Sequence, residues 1–169
     1  MVAILGLLVA IAIPWVAGAI QRARLDTQAQ EIRNFMLGAY TRAGEQRTPV
    51  TLRLEAPAAG ARRMVIARNT DGTDELAALR LPQWLGLSTA SVAGVTANWP
   101  QPAGVTDVYF LQCDPMGRAL NPLTGNQVAA VQTLVVTHRN MVGGNLRPRI
   151  RYEVQVFPIW QVQARRGMW

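Results

Sequence analysis

The sequence predicts an α+β protein, a long N-terminal helix carrying a β-rich head, and three observations lead there. Met1 to Ile20 contains no charged residue. An amphipathic helical pattern follows it directly, with no glycine, proline or polar cluster separating the two halves. From Thr48 onward the apolar period shortens to two, the period of a half-buried strand. At 169 residues the chain fits one domain plus an appendage. With 50% hydrophobic and 16% charged residues, it is too apolar to be a disordered chain. The reading divides it into an apolar half-helix (1–20), an amphipathic half-helix (21–44) and the head (48–169).

The apolar run is about 20 residues, which as a helix spans roughly 30 Å, the thickness of a bilayer core. A cleaved secretory signal is the rival reading. Ala17-Gly18-Ala19 resembles its cleavage site, but the basic n-region is missing. In the amphipathic half, Leu25, Ala29, Ile32, Met36 and Ala39 or Tyr40 recur at helical spacing, with Arg22, Arg24, Asp26, Gln28, Gln30, Glu31 and Arg33 largely on other faces. One helix from about Met1 to Arg42, capped near Gly44, is therefore expected. Pro14 lies inside it, removes one backbone hydrogen bond and predicts a kink or local melting. Gly6 and Gly18 allow another helix to approach closely.

Ala3-Ile-Leu-Gly-Leu-Leu-Val-Ala-Ile-Ala-Ile-Pro14, then a short small and apolar stretch and Gln-Arg-Ala-Arg-Leu, resembles the N-terminal helix of type IV pilins and pseudopilins. The resemblance implies a lollipop, a long helix packed on a small antiparallel β-sheet head. The apolar half would be held in the inner membrane before assembly and would then pack with its copies inside an extracellular helical filament. It implies that Ile4, Leu5, Gly6, Leu8, Val9, Ile11, Ile13 and Pro14 carry assembly, with Pro14 the point of unwinding. The implied partners are copies of the chain, other pilins, the inner-membrane assembly machinery and, before assembly, the membrane itself. That family opens with a basic leader ending in glycine, a phenylalanine and a glutamate. None of these precedes Met1 here, so the chain is expected to start inside the motif.

In the head, Val50, Leu52 and Leu54 alternate with Thr51, Arg53 and Glu55, and Arg63 to Arg68 follows after an Ala/Pro/Gly turn, which predicts a hairpin. Asp71-Gly72 is a turn signal, and Glu75 to Leu81 reads as the next strand. Pro82 to Asp107 reads as an irregular excursion pinned by Trp84, Leu85, Leu87, Val92, Val95 and Trp99. Val108 to Leu111 and Gln132 to Thr137 are strands around the turn-rich Asp114 to Pro122. Arg149 to Gln163 alternates as a strand, a bend near Pro158 and a last strand. The helix, the Asp114-Pro-Met-Gly-Arg118 turn and the final strand pair resemble the GspH/FimT branch of these families, although Phe157-Pro-Ile159 replaces that branch's glycine-bearing turn.

The net charge of +7 comes from 17 basic residues, all of them arginine, against 10 acids. Arg139, Arg147, Arg149, Arg151, Arg165 and Arg166 face a single acid, Glu153. Alternate residues of a strand lie about 6.6 to 6.8 Å apart, close to the phosphate repeat of a nucleic acid strand. Arg147, Arg149 and Arg151, with Arg165 and Arg166, are thus candidate nucleic-acid contacts, against a plain reading as a solvated or salt-bridged face. Some FimT-like minor pilins bind DNA through basic C-terminal residues, so the resemblance adds DNA as a further partner.

Catalytic chemistry finds little footing. His138 is the only histidine, Ser88 and Ser91 the only serines, and Cys113 the only cysteine, which reads as a small buried hydrophobe. Gly86-Leu-Ser88 is too short a likeness to a nucleophile elbow, and Asn69 to Glu75 fails the spacing of a calcium loop and reads as a turn. No enzyme, metal or cofactor is expected. The function expected is a structural subunit of a type IV pilus-like filament. The alternatives are a low-copy DNA-binding minor pilin and a type II secretion pseudopilin. Phe157, Ile159, Trp160, Met168 and Trp169 are candidate subunit contacts.

Overall fold

The computed structural model describes residues 2–55, 62–88, 99–101, 108–138 and 151–167, with side chains from Val16 onward in those ranges except at Ala17, Ser88 and His138. Helix α1 (Val2–Gln46) takes up 45 residues. Its backbone is helical through Pro14, so the expected melting is not seen there. A proline costs one hydrogen bond, but its φ is already helical. At the other end α1 overruns Gly44 and stops at Gln46, where Arg47 takes a left-handed φ of 53°. The stop is set by Pro49, which disfavours helix at Thr48, and not by glycine.

The stripe read from the sequence is the core face of α1. Leu25, Ala29, Ile32, Met36 and Ala39 are buried, Ala43 extends the row, and Tyr40 is left outside at 46% exposure. Along this row the large Leu25, Ile32 and Met36 fill the space against the sheets, and Ala29, Ala39 and Ala43 let the helix approach between and beyond them.

Nine strands are described, in two antiparallel sheets. The first has the order β3-β2-β1-β5-β6, formed by β1 (Val50–Glu55), β2 (Arg62–Ala67), β3 (Glu75–Leu81), β5 (Val108–Cys113) and β6 (Ala119–Leu120). The second has the order β4-β7-β8-β9, formed by β4 (Leu85–Ser88), β7 (Gln132–His138), β8 (Arg151–Val156) and β9 (Val162–Gly167). Helix α1 packs on strands of both, and Val50, Leu52, Leu54, Leu134, Val136 and Val154 converge on its stripe. On the far side of the first sheet a charge ladder crosses three strands: Arg53 to Glu55 at 2.8 Å, Arg63 to Glu55 at 2.6 Å and Arg63 to Glu75 at 2.6 Å.

Two expectations about the head need correcting. The excursion from Pro82 contains β4, which pairs Leu85 with His138 and Leu87 with Val136. The turn-rich connection contains β6, which pairs Ala119 with Cys113. Trp84 is partly buried, and Leu85 and Trp99 are buried, as pinning residues should be. Val92, Val95 and the turn 56–61 lie outside the described residues.

Candidate functional site

Two features connect the head to the helix. The indole Nε1 of Trp160 donates to the Met36 carbonyl at 3.0 Å, and Arg33 Nε donates to the Val162 carbonyl at 3.2 Å. The first ties the bend between β8 and β9 to the middle of the core-facing half of α1, and the second ties α1 to β9, the edge strand of its sheet. Trp160, expected among the subunit contacts, is 5% exposed and is an anchor within the chain, whereas Ile159 beside it is 73% exposed. Phe157 is partly buried, and Met168 and Trp169 lie outside the described residues.

The bend that holds Trp160 is fixed by the Asp114–Arg118 turn. Asp114 Oδ1 accepts from the N–H groups of Met116 at 3.0 Å and Arg118 at 2.7 Å, and Oδ2 accepts from Arg118 Nε at 2.6 Å. Burial pushes the Asp114 carboxyl up, but these bonds and the Arg118 charge outweigh it and leave it below the usual 3.8. Gly117 has φ +77°, and a Cβ there would meet the Tyr40 ring at 3.1 Å, so glycine is required twice over. From this turn Gly117 O accepts the Trp160 N–H at 2.6 Å, and Ala119 N–H donates to Pro158 O at 2.9 Å. The two sheets are thereby clipped together under the C-terminal end of α1.

The basic C-terminal residues are not equivalent. Arg151 is only 8% exposed, and its Nε lies 2.9 Å from Glu153, which is itself 2% exposed. Arg165, 63% exposed along its side chain, reaches the other oxygen of Glu153 at 3.1 Å, and Gln155 donates to it at 3.3 Å. The alternation of β8 suggested an exposed polar face, but that face is covered, and a buried carboxylate in contact with arginine is the result. Gly167, opposite Arg151 in the strand pair, leaves the room: a Cβ would fall 2.5 Å from Arg151 Nε and 2.9 Å from Glu153 Oε1. Arg165 and Arg166 are exposed on β9 at the sheet edge, and Arg147 and Arg149 lie outside the described residues. The three-arginine ladder is thus not assembled within the described residues.

The residues expected to carry assembly, Ile4, Leu5, Gly6, Leu8, Val9, Ile11, Ile13 and Pro14, all fall on α1, with side chains outside the described set. Downstream of them Val16 and Ile20 are exposed, at 45% and 48%. Among the described residues no helix is long and apolar enough to cross a membrane.

The residues weighed for catalysis are accounted for in part. Cys113 is fully buried, and burial, with the Asp114 charge, pushes its thiol up to about 12. Asp71 Oδ1 accepts from the backbone and hydroxyl of Thr73, each at 3.0 Å, Asp74 pairs with Arg68 at 3.2 Å, and Glu75 belongs to the charge ladder, so each of these carboxylates has a partner within the chain. Among the described residues no group of three His, Cys, Asp or Glu converges on a metal position. Ser88 and His138 sit in β4 and β7, with side chains outside the described set.

One N-terminal helix packed on antiparallel sheets is a pilin-like α+β fold. It is similar to the crystal structure of the Pseudomonas aeruginosa type IV minor pilin FimU, with a TM-score of 0.53 and 12% identity over 85% of this chain and 90% of that one. No family model matches the sequence, and no curated protein matches it.

Proposed function

We propose that the chain is a structural subunit of an extracellular type IV pilus-like filament, assembled through its N-terminal helix. The observation that carries this reading is the division of labour along α1. Its downstream half is buried in the head's core from Leu25 onward, while the helix continues upstream to Val2 with Val16 and Ile20 exposed. Such a helix has apolar surface to bury against copies of itself, and burial of that surface drives assembly. The inner membrane would hold it beforehand, and other pilins and the assembly machinery are its expected partners.

The sheared surface fraction of producing cells, imaged by electron microscopy and analysed by mass spectrometry, tests this. The chain is expected as a filament component, and its absence from all filaments overturns the proposal. Exposed Arg165 and Arg166 favour a second reading, a low-copy subunit that binds DNA. For that reading, Arg165→Ala with Arg166→Ala must weaken binding to DNA and lower its salt dependence by about two phosphate contacts.

A further inference from the structure

Glycine follows an aspartate or an asparagine once in the whole sequence, at Asp71-Gly72. Such a pair can close a ring on itself, because a residue without a side chain leaves its amide nitrogen open to the neighbouring carboxyl. The two residues lie in the turn joining β2 to β3, with Asp71 exposed and Gly72 partly so.

The turn arranges the reacting groups. Asp71 Oδ1 accepts from the Thr73 N–H at 3.0 Å, which closes an Asx turn and curls the carboxyl carbon over the intervening Gly72 peptide. The Asp71 carbonyl, part of the same peptide group as the Gly72 nitrogen, accepts from Arg53 Nη1. Arg53 is held in turn by Glu55 at 2.8 Å and by the Phe110 ring, whose centroid lies 5.6 Å from its guanidinium carbon. A fixed cation at that oxygen stabilises the negative charge that develops on the peptide as its N–H loses a proton. Among the described residues the Gly72 N–H meets no acceptor, so the proton can pass to solvent. Gly72 has a left-handed φ of 79°, and a Cβ there would fall 3.2 Å from Arg53 Cδ, so both the turn and the approach of Arg53 depend on glycine.

We propose that Asp71-Gly72 is a site of spontaneous backbone isomerisation through a cyclic imide. The Gly72 nitrogen bonds to the side-chain carboxyl carbon of Asp71, and its proton leaves with the hydroxyl of the neutral carboxyl as one water. Water then adds to one of the two imide carbonyls and opens the ring. Opening at the main-chain carbonyl leaves isoaspartate, with the backbone running through the former side chain, and opening at the other restores aspartate. Isoaspartate lengthens the backbone by one carbon and shortens the carboxylate arm by one, which breaks the Thr73 bonds that hold the turn. The Thr73 bonds and the Arg53 charge hold the carboxyl below its usual 3.8, and Arg68 and Asp74 are the other charges of the turn. The neutral carboxyl is therefore commoner in mild acid, and the reaction is faster there than at neutral pH.

The inference is independent of how the chain assembles. To test it, the purified full-length chain is kept folded in detergent and mildly acidic heavy-oxygen water, beside a synthetic peptide of residues 69–80, the fragment that trypsin releases. Isoaspartate at position 71 is expected to accumulate in the chain at least as fast as in the peptide, and to carry one heavy oxygen. Arg53→Met is expected to slow the folded chain. A folded chain that reacts more slowly than the peptide overturns the inference, because the turn then protects the bond. Product without heavy oxygen, or an Arg53→Met rate equal to that of wild type, overturns it as well.

Discussion

Two carboxylates in the head sit in contrasting settings, and each makes a separable prediction. Glu153 is a buried charge whose worth lies in its partners. Glu153→Gln should cost about 3 to 5 kcal/mol in urea unfolding, because it removes the carboxylate paired with the buried Arg151. Adding Arg151→Met should recover much of that loss, since no charge then remains to be desolvated. Asp114 differs in holding a turn by accepting backbone N–H groups. Its folded value is depressed below the ordinary 3.8, so its contribution is complete well above that value and drains away as pH falls through the depressed one. Asp114→Ala should therefore lose roughly 1 to 3 kcal/mol at neutral pH, a deficit that shrinks in strong acid when stability is followed against pH.

At the scale of elements, what could be read from the sequence was whatever repeats. The helix stripe from Leu25 to Ala39 and the alternation in β1 each present several residues in register, and a periodic signal survives noise. The four residues of β4 do not repeat anything. Pro82 and Gly86 flank or interrupt them, and their partner β7 lies about fifty residues away, so only tertiary pairing makes them a strand. Arg151 misled for a related reason: alternation tells which residues share a face, but not whether that face is covered. The helix-to-head ties are testable at this scale. Ile32→Ala should cost about 2 to 5 kcal/mol as a buried truncation. Trp160→Phe should cost roughly 1 kcal/mol beyond any packing change, because the Met36 carbonyl loses its indole donor.

For the whole molecule, the core that begins at Leu25 predicts a separation of stability from assembly. A chain lacking residues 1–20 should melt within a few degrees of the complete head, because among the described residues the buried core of the helix begins at Leu25. It should also fail to enter filaments, which sedimentation of the sheared fraction would reveal. The tie between Arg33 and Val162 spans 129 positions, nearly the full length of the chain. Synthesis runs from the amino end, so α1 is made first, β1, β5 and β7 can cover part of its apolar row, and the cover is finished only when β8 and β9 are made. Closing a loop as long as that between Arg33 and Val162 is slow. A chain stalled before Arg151 would carry a helix only partly covered and would lack both ties, from Arg33 and from Trp160, that fasten the helix to the head.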